Sequence, residues 1–170
     1  HNGIFDGRRI IKTFRVPTYT ENFRPFYRNA LKRYIDDIDE VVLVSVVPKV
    51  LRKLEKALSN IVGKRATVVG RDVDSGVKNR YKKPRDVGQD RLVNARAAHQ
   101  LYGGSSIVVD FGTAITIDVV SRKKEFLGGV IAPGVEIALN ALSERAFLLP
   151  KVDLKKPTNI LGRDTKESMR

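Results

Sequence analysis

Two carboxylates near the middle of the chain have neighbours that could support chemistry. Asp110 ends an apolar segment and is followed at once by Phe-Gly-Thr. Asp90 lies in a Gly-Gln-Asp-Arg sequence where a helical pattern begins. An acid at a strand-to-turn junction can hold a cation beside a phosphate, and an acid next to an arginine can act as a base beside an anion clamp. The pair suggests phosphoryl transfer to a small acidic alcohol.

The segment after Asp110 has the residues of a phosphate contact. Gly112 permits backbone conformations that other residues avoid. Thr113 offers a hydroxyl group and a backbone N–H to a phosphate oxygen. The alternative is that Asp110 only caps a β-turn, and the residues alone leave both interpretations open.

The Asp90 segment also has two interpretations. Gly88 would let a ligand approach the backbone, the amides of a helix N-terminus attract anions, and Arg91 could clamp a carboxylate. The alternative is an acid that favours the first turn of a helix, with an ordinary surface ion pair, and the residues alone favour it. A third segment, residues 128–134, is rich in glycine and fits close packing beside a ligand or a plain turn with a bulge.

Composition limits the classes of protein that the chain can represent. Its 170 residues, 42% of them hydrophobic, suffice for one ordinary domain or two small lobes. Cysteine is absent and the histidines are His1 and His99, which excludes disulfides and argues against zinc. Without a long apolar run or a signal peptide, we expect a cytoplasmic protein with no membrane partner. The net charge of +13 is scattered and no RNP-type motif accompanies it, so we expect no nucleic-acid partner.

Hydrophobic periodicity and turn residues predict an alternation of strands and helices. Strands are predicted at residues 4–5, 10–16, 41–47, 66–69, 106–110, 114–120 and 125–131. Helices are predicted at residues 20–34, 48–58, 87–101 and 133–146. The sequence also predicts a hairpin turn at Asp6-Gly7, a buried parallel strand at 41–47, an inter-lobe loop at 70–83, and an irregular tail from residue 149.

This order predicts an α/β protein with two related lobes and a cleft between them. The lobes are predicted at residues 1–75 and 76–170, each beginning with antiparallel strands and continuing with alternating elements. Ligands of such sheets gather at the carboxyl ends of strands, where Asp110 is predicted to lie. We therefore expect the side chains of Asp90 and Asp110 to face one pocket.

An ordered set of short motifs resembles the type III pantothenate kinase family, of the acetate and sugar kinase/Hsp70/actin superfamily. The matching segments are Ser45 to Pro48, Tyr81 with Pro84, Val87 to Ala95, Asp110 to Ala114, Thr116 to Asp118, Gly128 to Gly134, Leu148 to Pro150, and Gly162 to Thr165 with Glu167 and Ser168. They cover essentially the whole chain. The resemblance implies an actin-like ATPase fold with two ribonuclease H-like lobes and mixed sheets.

The resemblance also implies a reaction, which is the ATP-dependent phosphorylation of pantothenate at the first step of coenzyme A biosynthesis. It implies that Asp90 is the proton acceptor, that Asp110 holds a monovalent cation (potassium or ammonium), and that Thr113 contacts ATP. The implied pantothenate contacts are Tyr81, Gly88, Gln89, Asp90, Arg91 and Thr165. We further expect magnesium with the nucleotide and a homodimer.

The chain departs from the family pattern in three respects. The family begins with a strand and an Asp-x-Gly-Asn-Thr phosphate loop and continues past the position of Thr165, so we expect the sequence to be incomplete at both ends and inactive in this form. Gln89 stands where a small residue is usual, and Asp164 stands where asparagine is common. Two alternatives stay open, a non-catalytic transcription accessory or nucleic-acid-binding regulator on the same scaffold, and a kinase for another sugar or acid.

Overall fold

The computed structural model describes residues 1–18, 20–157 and 159–169, which group into two compact units. The first unit contains His1–Gly76 and Arg85–Val93, and the second contains Val77–Pro84 and Asn94–Arg170. The first break lies one residue from the predicted lobe boundary. Arg85–Val93, predicted in the second lobe, group with the first unit.

The first unit opens with the predicted hairpin. Strands β1 (Asn2–Phe5) and β2 (Ile10–Phe14) pair antiparallel, and Gly7 between them has a φ of 87°. The Asp6 carboxylate accepts hydrogen bonds from the backbone N–H groups of Arg9 and Arg8 at 2.8 and 2.9 Å. These bonds hold the pKa of the Asp6 carboxyl below its ordinary value.

Two helices cover the first unit, α1 (Arg24–Leu31) and α2 (Pro48–Val62). The predicted start of α1 at Thr20 is wrong, because the Asn22 side chain accepts the Arg24 N–H at 3.0 Å and holds the chain outside the helix until Arg24. Helix α2 begins at its proline as predicted, but it continues past the predicted end at residue 58 to Val62, where Gly63 caps it with a φ of 75°.

The parallel pair at the centre of this unit is shorter than predicted. Strand β3 (Val42–Leu43) pairs with β4 (Thr67–Val68), and Leu43 is buried. The prediction of a buried strand over residues 41–47 is wrong, since Val42 and Val46 are 57% and 56% exposed. Among the described residues β3 has one partner strand, so the rest of the segment has no sheet to be buried in.

The core of the first unit forms between the helices and this strand pair. Its buried members are Phe23, Tyr27, Leu31, Leu43, Ala57, Leu58, Ala66 and Val68. The Tyr27 hydroxyl group donates to Asn2 Oδ1 at 2.6 Å, and burial raises the pKa of this phenol. Helix α1 is thereby tied to the hairpin.

A cluster of charged side chains joins α2 to the turn after β4. Both terminal nitrogens of Arg71 donate to the Glu55 carboxylate, at 2.9 and 2.6 Å, and Nη2 also donates to Asp72 at 2.7 Å. The other donors to Asp72 are Arg71 Nε, Arg65 and the Val68 N–H, at 3.1, 3.0 and 2.9 Å. The hydrogen bond from Arg71 and the bond from Val68 lower the pKa of Asp72 to about 2.

This pKa predicts an acid-sensitive contribution to stability. Because the folded pKa of Asp72 lies below the unfolded value of about 3.9, its contribution is present above about pH 4 and is lost as the pH falls toward 2. We expect Asp72→Asn to lower the melting temperature at pH 7 by about 2–4 °C and to flatten the acid limb of the stability curve. Glu40→Gln is the control at an exposed acid. Equal acid limbs for wild type and Asp72→Asn would exclude this contribution.

The second unit contains a four-stranded sheet in the order β5-β8-β7-β6. Strands β6 (Ser106–Phe111), β7 (Ala114–Val120) and β8 (Glu125–Pro133) form the predicted antiparallel meander. The prediction that residues 70–83 are all loop is wrong, because β5 (Lys78–Asn79) pairs parallel with β8. The sequence alone did not reveal this strand because it is two residues long.

Three further helices complete the secondary structure of the described residues. They are α3 (Gln89–Tyr102), α4 (Val135–Arg145) and α5 (Thr165–Ser168), beside 3-10 turns at Ile35–Asp37 and Pro84–Asp86. Helices α3 and α4 are close to prediction, whereas α5 lies in the segment predicted to be irregular. Within the described ranges, the longest apolar helical stretches fall short of what crossing a bilayer requires.

Candidate active site

The Gly-Gln-Asp-Arg segment forms the start of α3. Gln89 is the first helical residue, and the Gly88 carbonyl accepts the N–H groups of Arg91 and Leu92 at 3.2 and 3.4 Å. Asp90 is exposed, and its Oδ1 accepts the Arg91 N–H at 2.9 Å. The predicted position of Asp90 at a helix start is confirmed, with a carboxylate that solvent can reach.

Glycine at position 88 lies in close contact with two neighbouring side chains. A Cβ atom added there would collide with Asp90 Oδ1 and lie 3.0 Å from Val46 Cγ1. The Asp90 carboxylate is therefore folded back over the Gly88 backbone. Arg91 faces different surroundings, since it is only 8% exposed.

Asp110 lies on β6, one residue before the end of the strand, whereas the sequence predicted that the strand ends at this acid. The residue is exposed, and its Oδ2 accepts a hydrogen bond from Asn94 Nδ2 at 3.0 Å. Sequence analysis gave Asn94 no role, although it lies within the matching segment after Asp90. Asn94 orients the carboxylate of Asp110 and leaves Oδ1 to face its surroundings.

The turn after Asp110 is built differently from the expectation. Gly112 is not in the left-handed region, and a Cβ atom added there would lie 3.7 Å from the Ala114 carbonyl oxygen, an ordinary contact. The expectation that Gly112 is needed for its conformational freedom is therefore wrong. The close approach occurs at Gly134, whose N–H donates to the Thr113 carbonyl at 3.0 Å and where an added Cβ would collide with the same carbonyl.

The glycine-rich segment 128–134 combines close packing at one glycine with a strand irregularity at another. Gly134 packs the start of α4 against the β6–β7 turn, as described above. The pairing of β7 with β8 is irregular between Val119 and Val120, and Gly128 beside it has a φ of 127°. The Tyr81 ring lies over Gly128, 3.8 Å from where a Cβ atom would be.

Tyr81 is held in place through both its backbone and its ring. Its N–H donates to Asn79 Oδ1 at 3.0 Å, and its ring packs on Phe126 with centroids 6.2 Å apart. Nearby, Arg80 donates to Glu125 at 2.9 Å, and this bond holds the pKa of the Glu125 carboxyl below its ordinary value. The segment after β5 is thus tied to β8 by an aromatic contact and an ion pair.

Thr165 is the first residue of the short helix α5 and is exposed. The Asp164 side chain caps this helix by accepting the Glu167 N–H at 2.8 Å, and Glu167 in turn accepts the Arg163 N–H at 3.0 Å. These reciprocal bonds fix the backbone on which Thr165 stands.

The two units hold different parts of the predicted site. Gly88, Gln89, Asp90 and Arg91 belong to the first unit, and Tyr81, Asp110, Thr113 and Thr165 belong to the second. The described residues include no group of three or more His, Cys, Asp or Glu side chains arranged to hold a metal ion.

The mixed α/β fold, with one exposed acid at a helix start and another beside a strand-to-turn junction, is consistent with a kinase of small molecules. Comparison with known proteins gives the same class: the profile of a family described as type III pantothenate kinase matches residues 1–170. The chain belongs to the type III pantothenate kinase family, and the resemblance predicted from the sequence is confirmed.

Relatives with this name come from several bacteria. The type III pantothenate kinase of Geobacter sulfurreducens is 42% identical and aligns with 98% of this chain and 68% of its own length. The protein of the same name from Moorella thermoacetica is 41% identical, over 96% of this chain and 67% of its own. That of Agathobacter rectalis is 39% identical, over 98% of this chain and 67% of its own.

Proposed function

We propose that this protein transfers the γ-phosphoryl group of ATP to the primary hydroxyl group of pantothenate, the first step of coenzyme A biosynthesis. The observation that carries the proposal is the family match over residues 1–170, which includes the Gly-Gln-Asp-Arg segment that exposes Asp90 at the start of α3. Phosphoryl transfer depends mainly on positioning and on neutralising charge, so a few well-oriented side chains suffice.

Asp90 is the proposed proton acceptor. Its carboxylate is exposed, and one oxygen is fixed by the Arg91 N–H, so the other can face a substrate hydroxyl group. A base held by its own backbone neighbour keeps its orientation without an additional side-chain partner.

The proposed pantothenate contacts are Tyr81, Gly88, Gln89, Asp90, Arg91 and Thr165. The amides at the start of α3 favour an anionic ligand, and the guanidinium group of Arg91 can match a carboxylate with two parallel hydrogen bonds. Tyr81 offers a ring already packed on Phe126, so little side-chain entropy is lost when a ligand packs against it.

Asp110 and Thr113 are proposed for the nucleotide side of the reaction. Asp110 Oδ2 is held by Asn94, and its carboxylate would bind potassium or ammonium, which offsets phosphate charge when bound. Thr113 would contact ATP through its hydroxyl group or its backbone N–H, either of which can donate to a phosphate oxygen. Magnesium would arrive with the nucleotide phosphates, which is its usual mode of binding in kinases.

The proposal extends to the wider fold and to the assembly. We infer two ribonuclease H-like lobes of the actin-like ATPase type, because each unit combines sheet and helices in a mixed α/β arrangement. A homodimer and a cytoplasmic location follow from the family resemblance and from the use of ATP. Light scattering of the purified protein tests the dimer.

Supplying pantothenate and ATP tests the function directly. We expect the full-length protein to form ADP and a product heavier than pantothenate by one phosphoryl group, measured by mass spectrometry, and the rate to rise when potassium or ammonium replaces sodium. Pantothenate lacking its primary hydroxyl group is the control and should give no product. Phosphorylation of another alcohol in place of pantothenate would show that the substrate is misassigned.

A further inference from the structure

A rigid turn follows β4 and lies against the first residue of α3. Gly70 in this turn has a φ of 87°, and its N–H donates to the Val73 carbonyl at 2.7 Å. The N–H groups of Arg71 and Asp72 both donate to the Val68 carbonyl, at 3.2 and 2.8 Å. The Asp72 carboxylate accepts the Val68 N–H at 2.9 Å, which closes the turn from the other side.

The absence of a side chain at Gly70 makes room for the side chain of Gln89. A Cβ atom added at Gly70 would lie 2.5 Å from Cδ, 2.7 Å from Cγ and 2.9 Å from Nε2 of Gln89. Real Cβ atoms essentially never approach a neighbour below 3.0 Å, so Gln89 would have to move. The turn is braced by its own hydrogen bonds and by the Arg71–Glu55 pair, and Gln89 is therefore the partner that would be displaced.

We propose that Gly70 is a positioning residue that seats Gln89 and thereby sets the orientation of Asp90 toward the acceptor substrate. The proposal rests on the proposed function for the identity of that substrate. Gln89 directly precedes Asp90, whose carboxylate is already folded over Gly88 with no space to spare. The atoms that the added methyl group would meet are the end of the Gln89 side chain, so that side chain would turn out of its seat. With this seat lost, the first turn of α3 would be held less firmly, and small misplacements of a reacting group such as the Asp90 carboxylate can cost up to about a hundredfold in rate.

Gly70→Ala tests the contact, and Gly63→Ala is the matched control. Both glycines have a positive φ, 87° and 75°, but a Cβ atom added at Gly63 meets nothing within 4 Å. Both variants should lose stability to a similar degree through backbone strain. Only Gly70→Ala should raise the KM for pantothenate, by about tenfold, or lower kcat with it, while the KM for ATP stays unchanged.

A double variant separates the contact from general strain. Gln89→Ala removes all three atoms that the added methyl group would meet. Relative to Gln89→Ala alone, Gly70→Ala/Gln89→Ala should therefore show no further rise in KM or fall in kcat. The proposal would be overturned if Gly70→Ala changed KM or kcat by the same factor in the wild type and in Gln89→Ala. It would also be overturned if Gly63→Ala changed KM or kcat as much as Gly70→Ala does.

Amide hydrogen exchange gives a readout that needs no activity. The N–H groups of Arg91 and Leu92, which donate to the Gly88 carbonyl, should exchange faster in Gly70→Ala and return to the Gln89→Ala rate in the double variant. Unchanged exchange would contradict the seating of Gln89. If the wild-type protein does not turn over pantothenate, the proposed function fails, and exchange still decides whether Gly70 positions the first turn of α3.

Discussion

Replacing Asp90 with asparagine is expected to lower kcat for pantothenate phosphorylation by about two to four orders of magnitude. Asparagine cannot accept the proton of the attacking hydroxyl group, but its Oδ1 can still accept the Arg91 N–H that Asp90 accepts at 2.9 Å. The start of α3 should therefore keep its geometry, and circular dichroism and the melting temperature should match those of the wild type. Steady-state rates with saturating ATP measure the loss.

Asp86→Asn is the appropriate control for this variant. Asp86 is an exposed acid in the 3-10 turn just before α3, so its removal changes the charge of the same region by the same amount. Its kcat should stay within about twofold of wild type if the effect of Asp90 is chemical and not electrostatic at long range. Full activity of Asp90→Asn would remove the proton-acceptor role.

Local patterns in the sequence were sufficient for the elements whose determinants are local. The meander β6–β8 was predictable because each strand alternates and the turns between them are short. Helix α2 was predictable from Pro48 at its start, although Gly63 at its end was not recognised as a cap. The acid at the start of α3 was equally predictable from the sequence, since a glycine with an acid shortly after it is typical of a helix start.

Elements that depend on distant partners were not predictable from the pattern alone. Residues 41–47 are apolar enough for a buried strand, but burial requires a strand on each side, and β3 has β4 on one side among the described residues. Helix α5 did have a local signal, the reciprocal pair Asp164 and Glu167, which the polar composition of the tail obscured.

The residues of the candidate site also fall into those that the local sequence marks and those that depend on distant contacts. Asp90 and Asp110 were selected as candidates because each lies near a boundary between elements that the sequence marks, and their roles stay predictions. The contacts of Asn94 with Asp110 and of Gly70 with Gln89 were missed because each joins residues that are far apart in sequence. The sequence predicted that Gly112 is the glycine on which this turn depends, but the glycine without room for a side chain is Gly134. A sequence shows which glycines are present but not which of them lack space.

Replacing Asp110 with asparagine should abolish most of the activation by potassium. The amide oxygen can still accept the Asn94 N–H, which Asp110 Oδ2 accepts at 3.0 Å, but the negative charge that attracts the cation is gone. Asn94→Ala should weaken potassium binding by about 10- to 100-fold, because it removes only the group that orients the carboxylate. Potassium titrations of the initial rate at fixed ATP measure both effects, with Glu136→Gln as the control at an exposed acid of the same unit. An unchanged potassium dependence in Asp110→Asn would place the cation elsewhere. A loss of potassium activation that is largest in Asp110→Asn, smaller in Asn94→Ala and absent in Glu136→Gln would support a cation held by one oriented carboxylate.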